Sequence, residues 1–269
     1  MSLRIQNNVE AFNAQRQLVH NSDKLGKAME KLSSGYRINR AGDDAAGLAI
    51  SEKLRGQIGG LTQASRNSQD AVSLVQTAEG ALNEVHSMLQ RVRELAVQYK
   101  NGTLSSNDQL SIQSEVNQLK AEIERIGTDT EFNNIDLLNS ASTTISFQVG
   151  ASDAQQITVA TISIGAQVAA GVYTLTTSGA TDIAEIDTAI DNISSARAVF
   201  GAVQNRLEHT ISNLASYQEN LTASESRIRD ADMASEMVQF TKFQILQQAG
   251  TSMLAQANQA PQSVLSLLR

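Results

Sequence analysis

LTQASRNSQDAVSLVQTAEGALNEVHSMLQRVRELAVQY, residues Leu61–Tyr99, is the stretch whose reading decides the fold. Leu61, Ala64, Ser68, Ala71, Val75, Ala78, Leu82, Val85, Leu89, Val92, Ala96 and Tyr99 follow one another in steps of three and four. That spacing keeps one helix face buried over many turns. At a rise of about 1.5 Å per residue the helix is on the order of 60 Å long. A globular domain seldom needs such a helix, so the stretch predicts an elongated helical rod.

Downstream, Asn101-Gly102 reads as the stop, because Gly tolerates the left-handed conformation that ends helices. Ser105, with Asp108 three residues on, resembles a capping box and starts a second helix. Ile112, Val116, Leu119, Ile123 and Ile126 mark its apolar face, and Gly127-Thr128-Asp129 closes it. The period then changes to two. Ile145, Phe147 and Val149 alternate, as do Ile157, Val159 and Thr161, with residues 150–156 between them. This predicts a β-hairpin, with Val172, Tyr173 and Leu175 adding a strand, in a small β subregion at about 140–181. From Ile186, steps of four and three give Ile190, Ile193, Arg197, Phe200, Gln204, Leu207, Ile211, Leu214, Gln218, Leu221, Glu225 and Ile228. Arg197, Gln204, Gln218 and Glu225 interrupt that seam. In a multi-helix rod such residues face neighbours or fix register.

The two ends are helix-patterned and poor in charge. Ile5, Val9, Phe12, Val19 and Leu25 stand at one, and Met237, Phe240, Phe243, Leu246, Met253, Leu254, Leu265 and Leu268 at the other. Apolar side chains at chain ends fray into water unless something covers them. The two ends are therefore partners, within one molecule or between subunits. The fold class expected is mainly α: a coiled-coil or helical-bundle rod formed by the N- and C-terminal halves, with a small β-hairpin region in the middle.

Composition narrows the function. Aromatics make up 4% of the chain, Trp is absent and Pro261 is the single proline, so the apolar content is the Leu, Ile, Val and Ala of packed helices. A net charge of -7 disfavours a nucleic-acid partner, which selects a basic surface. No apolar run is long enough to span a membrane. With no cysteine, stability comes from packing or assembly. The first residues lack the basic-then-apolar pattern of a secretory signal, which predicts a cytoplasmic protein or export by another route.

Nothing points to catalysis or a cofactor. Gly35, Gly42 and Gly47 lack the preceding strand and the closing Lys-Ser/Thr of a phosphate loop, and read instead as a turn before a helix that starts at Asp43-Asp44. His20, His86 and His209 have no metal-binding spacing, and no Gly-x-Ser-x-Gly elbow is present. Asn101-Gly102-Thr103, Asn192-Ile193-Ser194 and Asn220-Leu221-Thr222 match the glycosylation triplet, a pattern short enough to recur by chance.

Four blocks carry a family resemblance. Lys31 to Ile50, reading KLSSGYRINRAGDDAAGLAI, is similar to the N-terminal block of bacterial flagellin. Leu89–Gln98, Gly201–Leu207 and Glu225–Ala234 resemble three further blocks, and Ala255 to Leu268 fits the family's end. Gln6, Glu10 and Phe12 depart from the Asn, Ala and Leu expected of the family. The resemblance implies a filament subunit that is not an enzyme, with terminal helices at 1–40 and 233–269 pairing as an inner coiled coil. Residues 41–232 would form the outer rod, without large outer domains. Implied assembly core candidates are Ile5, Val9, Phe12, Met237, Phe240, Met253, Leu265 and Leu268. Implied partners are identical subunits, an export chaperone at the C-terminus, and the filament cap and junction proteins. Arg91, Leu95 and Glu115 match positions through which similar flagellins engage a flagellin-sensing Toll-like receptor. The implied location is extracellular, in the filament, by type III export. A hook–filament junction protein and a secreted adhesin-like module are the alternatives.

Overall fold

The computed structural model describes residues 8–139, 144–168, 170–175 and 182–267, with their side chains apart from those of 170, 171 and 260–267. In chain order the elements are α1 (Val9–Ser34), α2 (Ala45–Tyr99), α3 (Ser106–Asp129), β1 (Glu131–Phe132), β2 (Ile135–Asp136), β3 (Thr144–Gln148), β4 (Gln156–Ala160), α4 (Ile164–Gln167), a 3-10 turn (Ala170–Tyr173), α5 (Asp182–Arg229) and α6 (Met233–Leu267). The protein is mainly α, its long helices packed as a bundle, with two small antiparallel strand pairs in the middle. Contacts divide the chain into two units, Gln57–Glu219 and Met1–Gly56 with Asn220–Arg269.

In the central unit the three-four stripe of α2 is the core. Every stripe residue from Leu61 to Ala96 is buried, Ser68 included, and Tyr99 is half-buried. Ser68 is accommodated because its hydroxyl donates to the Ala64 carbonyl at 2.8 Å, leaving no unpaired polar group. Helix α2 also begins sixteen residues before Leu61, at Ala45. Gly47, Ser51, Leu54 and Ile58 continue the same spacing backwards as buried or half-buried positions, but Gly and Ser hide it from a hydropathy reading.

Helix α5 runs antiparallel to α2, since its rising numbers meet falling ones. Arg93 pairs with Asp187 at 2.6 Å, Glu79 with Arg197 at 3.3 Å, and Thr62 with the Gln218 amide at 3.2 Å. The buried seam of α5 differs in phase from the expected one. Ile186, Ile193, Phe200, Leu207 and Leu214 are buried as expected, yet the positions between them are Ala189, Ala196 and Val203. Ile190, Arg197 and Gln204 flank the seam half-buried. The polar residues therefore do not interrupt the core. Arg197 reaches across to Glu79 and Gln204 donates to Glu208 at 3.0 Å.

Ser105 and Asp108 form the reciprocal capping box, and the serine's hydroxyl and backbone N–H hold the Asp108 carboxyl below its ordinary range. Ile112, Val116 and Ile123 of α3 are buried and Leu119 and Ile126 half-buried, as their spacing requires. Strands β3 and β4 pair in the expected hairpin, Ile145 opposite Val159 and Phe147 opposite Ile157. The strand expected at Val172–Leu175 is instead the end of the 3-10 turn and two residues without regular secondary structure. Val172 and Tyr173 are both buried, whereas a strand with one face to water would turn one of them outward. The Gln113 side chain takes the place of a neighbouring strand, donating to the Tyr173 carbonyl at 2.9 Å and accepting from the Leu175 N–H at 3.2 Å. A hairpin absent from the sequence reading joins β1 and β2, turning on Asn133 and Asn134 with φ of 50° and 66°. Asn tolerates that left-handed pair better than most residues.

In the terminal unit the α1–α2 and α5–α6 connections bind each other. The Arg37 N–H donates to the Arg229 carbonyl at 2.6 Å and the Ala231 N–H to the Gly35 carbonyl at 2.9 Å, bracketing a bridge between Tyr36 and Asp230. Gly35 closes α1 at φ 75°, a conformation that favours glycine. The Arg229 guanidinium stacks on the Tyr36 ring at 4.7 Å and pairs with Glu52 at 2.8 Å. Asp44 caps the start of α2 by accepting from the Gly47 N–H at 2.9 Å, as the Asp43-Asp44 reading expects. Asp43 accepts from the backbone of Arg40 and Asn39, and these bonds, Arg40's foremost, lower its carboxyl's pKa.

Candidate assembly surface

Helices α1 and α6 pair antiparallel along one seam. Asn8 donates to the Ala257 carbonyl at 2.7 Å, the Lys24 ammonium lies 5.7 Å from the Phe243 ring centroid, and Lys31 pairs with Glu236 at 3.8 Å. On α1 the inward positions are Ala11, Ala14, Leu18, Asn21, Leu25, Ala28 and Leu32; on α6 they are Phe240, Phe243, Gln247, Gly250, Leu254 and Ala257. Both sets keep three-four spacing. The seam is thin. Among the described side chains of the two helices only Ala28 and Glu236 are buried, and the other seam positions are half-buried. Gly250 permits a close approach, for a Cβ there would stand 3.1 Å from Leu18 Cδ1. The sequence reading missed much of this seam because Ala, Asn, Gln and Gly carry little hydropathy signal. The spacing alone could have found it.

A second apolar set on the same helices lies outside that seam and is exposed. Val9, Phe12, Val19 and Met29 of α1 and Met237, Val238, Ile245 and Met253 of α6 are exposed, Phe12 by 60% and Met253 by 64%. Val9, Phe12 and Val19 share one α1 face; Met237, Val238, Thr241, Lys242, Ile245 and Leu246 line a shallow groove along α6. An isolated large apolar residue on a surface is ordinary; here such residues stand in rows along two helices. Of the assembly core candidates, Val9, Phe12, Met237 and Met253 lie in these rows, and Phe240 lies half-buried on the α1–α6 seam. Ile5 and Leu268 lie outside the described residues, as does the Leu265 side chain.

The second candidate surface is in the central unit. Arg91 bridges Glu94 and Glu115, each at 3.0 Å, and these carboxylates, Glu94's first, raise the pKa of its guanidinium. Leu95 is 2% exposed and packs inside the core, so it does not share the accessible face of Arg91 and Glu115. Four residues on, Leu95 is turned about 40° beyond a full turn from Arg91, far enough to reach the seam.

Among the described residues no group of three or more His, Cys, Asp or Glu side chains could hold a metal ion, and no helix is long and apolar enough to cross a membrane. The bundle and the exposed apolar helix faces together define a protein of long packed helices. Comparison with known proteins gives the family. Residues 5–143 match the bacterial flagellin N-terminal helical region and residues 183–268 the bacterial flagellin C-terminal helical region. A flagellin of Halalkalibacterium halodurans is 55% identical over 98% of this chain and 99% of its own length. A flagellin of Bacillus subtilis is 51% identical over 99% and 100%. The crystal structure of Bacillus cereus flagellin, 36% identical, superposes on 60% of this chain and 94% of its own with a TM-score of 0.50. The chain belongs to the bacterial flagellin family.

Proposed function

We propose that this chain polymerises with identical copies into the bacterial flagellar filament, and that the exposed apolar rows of α1 and α6 are the surfaces that assembly buries. The observation that carries this reading is Phe12, Met237 and Met253 standing more than half exposed on helices whose shared seam is already filled by other residues. Residues 1–40 and 233–269 would form the inner layer and 41–232 the outer one. The role is structural, not catalytic, and the location extracellular, reached by type III export with a chaperone at the C-terminal segment. The filament cap and the junction proteins are its other partners.

Seeded elongation tests the proposal. Subunits added to filament fragments should extend them without a fixed limit, which a junction protein would not do. Met237→Asp places a charge where assembly would exclude water, a cost of several kcal/mol, and each 1.4 kcal/mol is about tenfold in an equilibrium. Elongation is expected to fall at least tenfold; an unchanged rate would rule out this surface.

The exposed Arg91–Glu115 pair supports a second contact, with a flagellin-sensing Toll-like receptor, in which Leu95 serves as packing beneath the pair. Arg91→Ala is expected to weaken binding to the receptor ectodomain about tenfold, in the range of an interface arginine. Equal affinity of the two chains would remove Arg91 from the contact.

A further inference from the structure

Sulfur in this chain is confined to thioethers, because it has six methionines and no cysteine, and no Trp competes as an oxidisable ring. Four methionines are concentrated on the terminal helices and open to solvent: Met29 by 55%, Met233 by 46%, Met237 by 51% and Met253 by 64%. Met88 differs, lying half-buried against the core of the central unit. Met29 and Met237 occupy the same stretch of the α1–α6 pair, which is bounded on one side by Lys31 with Glu236 and on the other by Lys24 with Phe243. Met237 also lines the α6 groove with Val238 and Ile245. Among the described residues the solvent-exposed thioethers thus lie on the helices with the exposed apolar rows.

We propose that Met29, Met233, Met237 and Met253 form an oxidation site that blocks the free subunit from assembling and is closed once the subunit is built in. The inference rests on the assembly reading above. The thioether sulfur attacks one oxygen of a peroxide; the S–O bond forms as the O–O bond breaks, and the second oxygen leaves as water. Sulfur loses two electrons and the peroxide gains them. The product, methionine sulfoxide, is polar and chiral, and its S=O dipole loses its water partners in a packed apolar contact. Oxidation therefore acts on assembly while leaving the central bundle folded, for no described methionine belongs to the buried set of that core. Burial between subunits would in turn shield the same sulfurs, so the filament resists a treatment that disables its precursor.

The test treats free subunits and finished filaments with hydrogen peroxide, then follows each methionine by peptide mass spectrometry and each sample by seeded elongation. In free subunits the four terminal-helix methionines are expected to gain one oxygen well before Met88, helicity to be kept, and elongation to fall at least tenfold. In filaments the same four should react at least tenfold more slowly. Methionine sulfoxide reductases of both epimer specificities should restore elongation of the treated subunits, which assigns the loss to methionine oxidation. Treated subunits that elongate at the untreated rate, or a loss that the reductases do not reverse, would overturn the proposal and leave the assembly reading intact. Untreated subunits that fail to elongate would overturn both.

Discussion

A chain ending at Leu254 is expected to keep its central bundle and lose elongation on filament seeds to below detection. The cut removes Ala255–Arg269, and with it Ala257, a seam residue whose carbonyl receives the Asn8 amide at 2.7 Å. Asn8 is also the N-cap of α1, its side-chain oxygen accepting from the Ala11 N–H at 3.1 Å. The first turns of α1, which carry Val9 and Phe12, thereby lose the contact that holds them against α6. Both apolar rows are then shortened or loosened at once. The buried cluster of the central unit runs from Ala71 to Phe200, Val203 and Leu207 and includes none of the described side chains of α1 or α6. Its thermal midpoint should therefore move by less than about 3 °C, equivalent to roughly 1 kcal/mol for a domain of this size. Seeded light scattering together with a thermal scan checks both halves. Normal filaments from the shortened chain would show that the C-terminal segment is not part of the assembly contact.

Phe200→Ala has the largest effect expected on stability. Phe200 is fully buried where the α5 seam meets the core, and removing a ring from such a site costs about 3–5 kcal/mol through lost transfer energy and the cavity left behind. With aromatics at 4% of the chain, few other large side chains are available to fill that space. Its neighbour Val199 is 57% exposed, and Val199→Ala should stay within about 0.5 kcal/mol of the parent chain. Urea unfolding of the three chains measures the contrast, with a lowered midpoint and unchanged slope expected for Phe200→Ala. Equal midpoints for the two variants would contradict the seam assignment of α5.

That assignment also shows where the sequence was legible and where it was not. Along α2 the stripe is dense in Leu and Val, and the three-four spacing from Leu61 to Ala96 names only buried positions, leaving out Leu74 and Leu95, which are buried beside it. Along α5 the hydropathy of Ile190 outweighs that of Ala189, so the reading followed Ile190, Arg197 and Gln204 when the chain buries Ala189, Ala196 and Val203. Small residues let two long helices approach closely, and the same smallness hides them from a pattern based on hydropathy. The 3-10 turn at Ala170–Tyr173 was illegible for a different reason. Its stability depends on Gln113, some sixty residues earlier, which a local propensity does not contain. The Asn133-Asn134 turn was local and readable, since a pair of Asn residues between Phe132 and Ile135 fits a two-residue hairpin. Of the candidate site, the chain ends could be named from their uncovered apolar residues. Only the structure separated Phe240, which is half-buried on the α1–α6 seam, from Phe12 and Met253, which stand exposed among the described residues.

The central claim is that the apolar rows of α1 and α6, exposed in the single chain, become the packed interior of a polymer. Electron cryomicroscopy of seeded filaments tests it most directly. The account predicts long tubes in which Val9, Phe12, Met237 and Met253 are enclosed between neighbouring copies. Subunits that stay single in the presence of seeds, or tubes in which those side chains still face water, would contradict it.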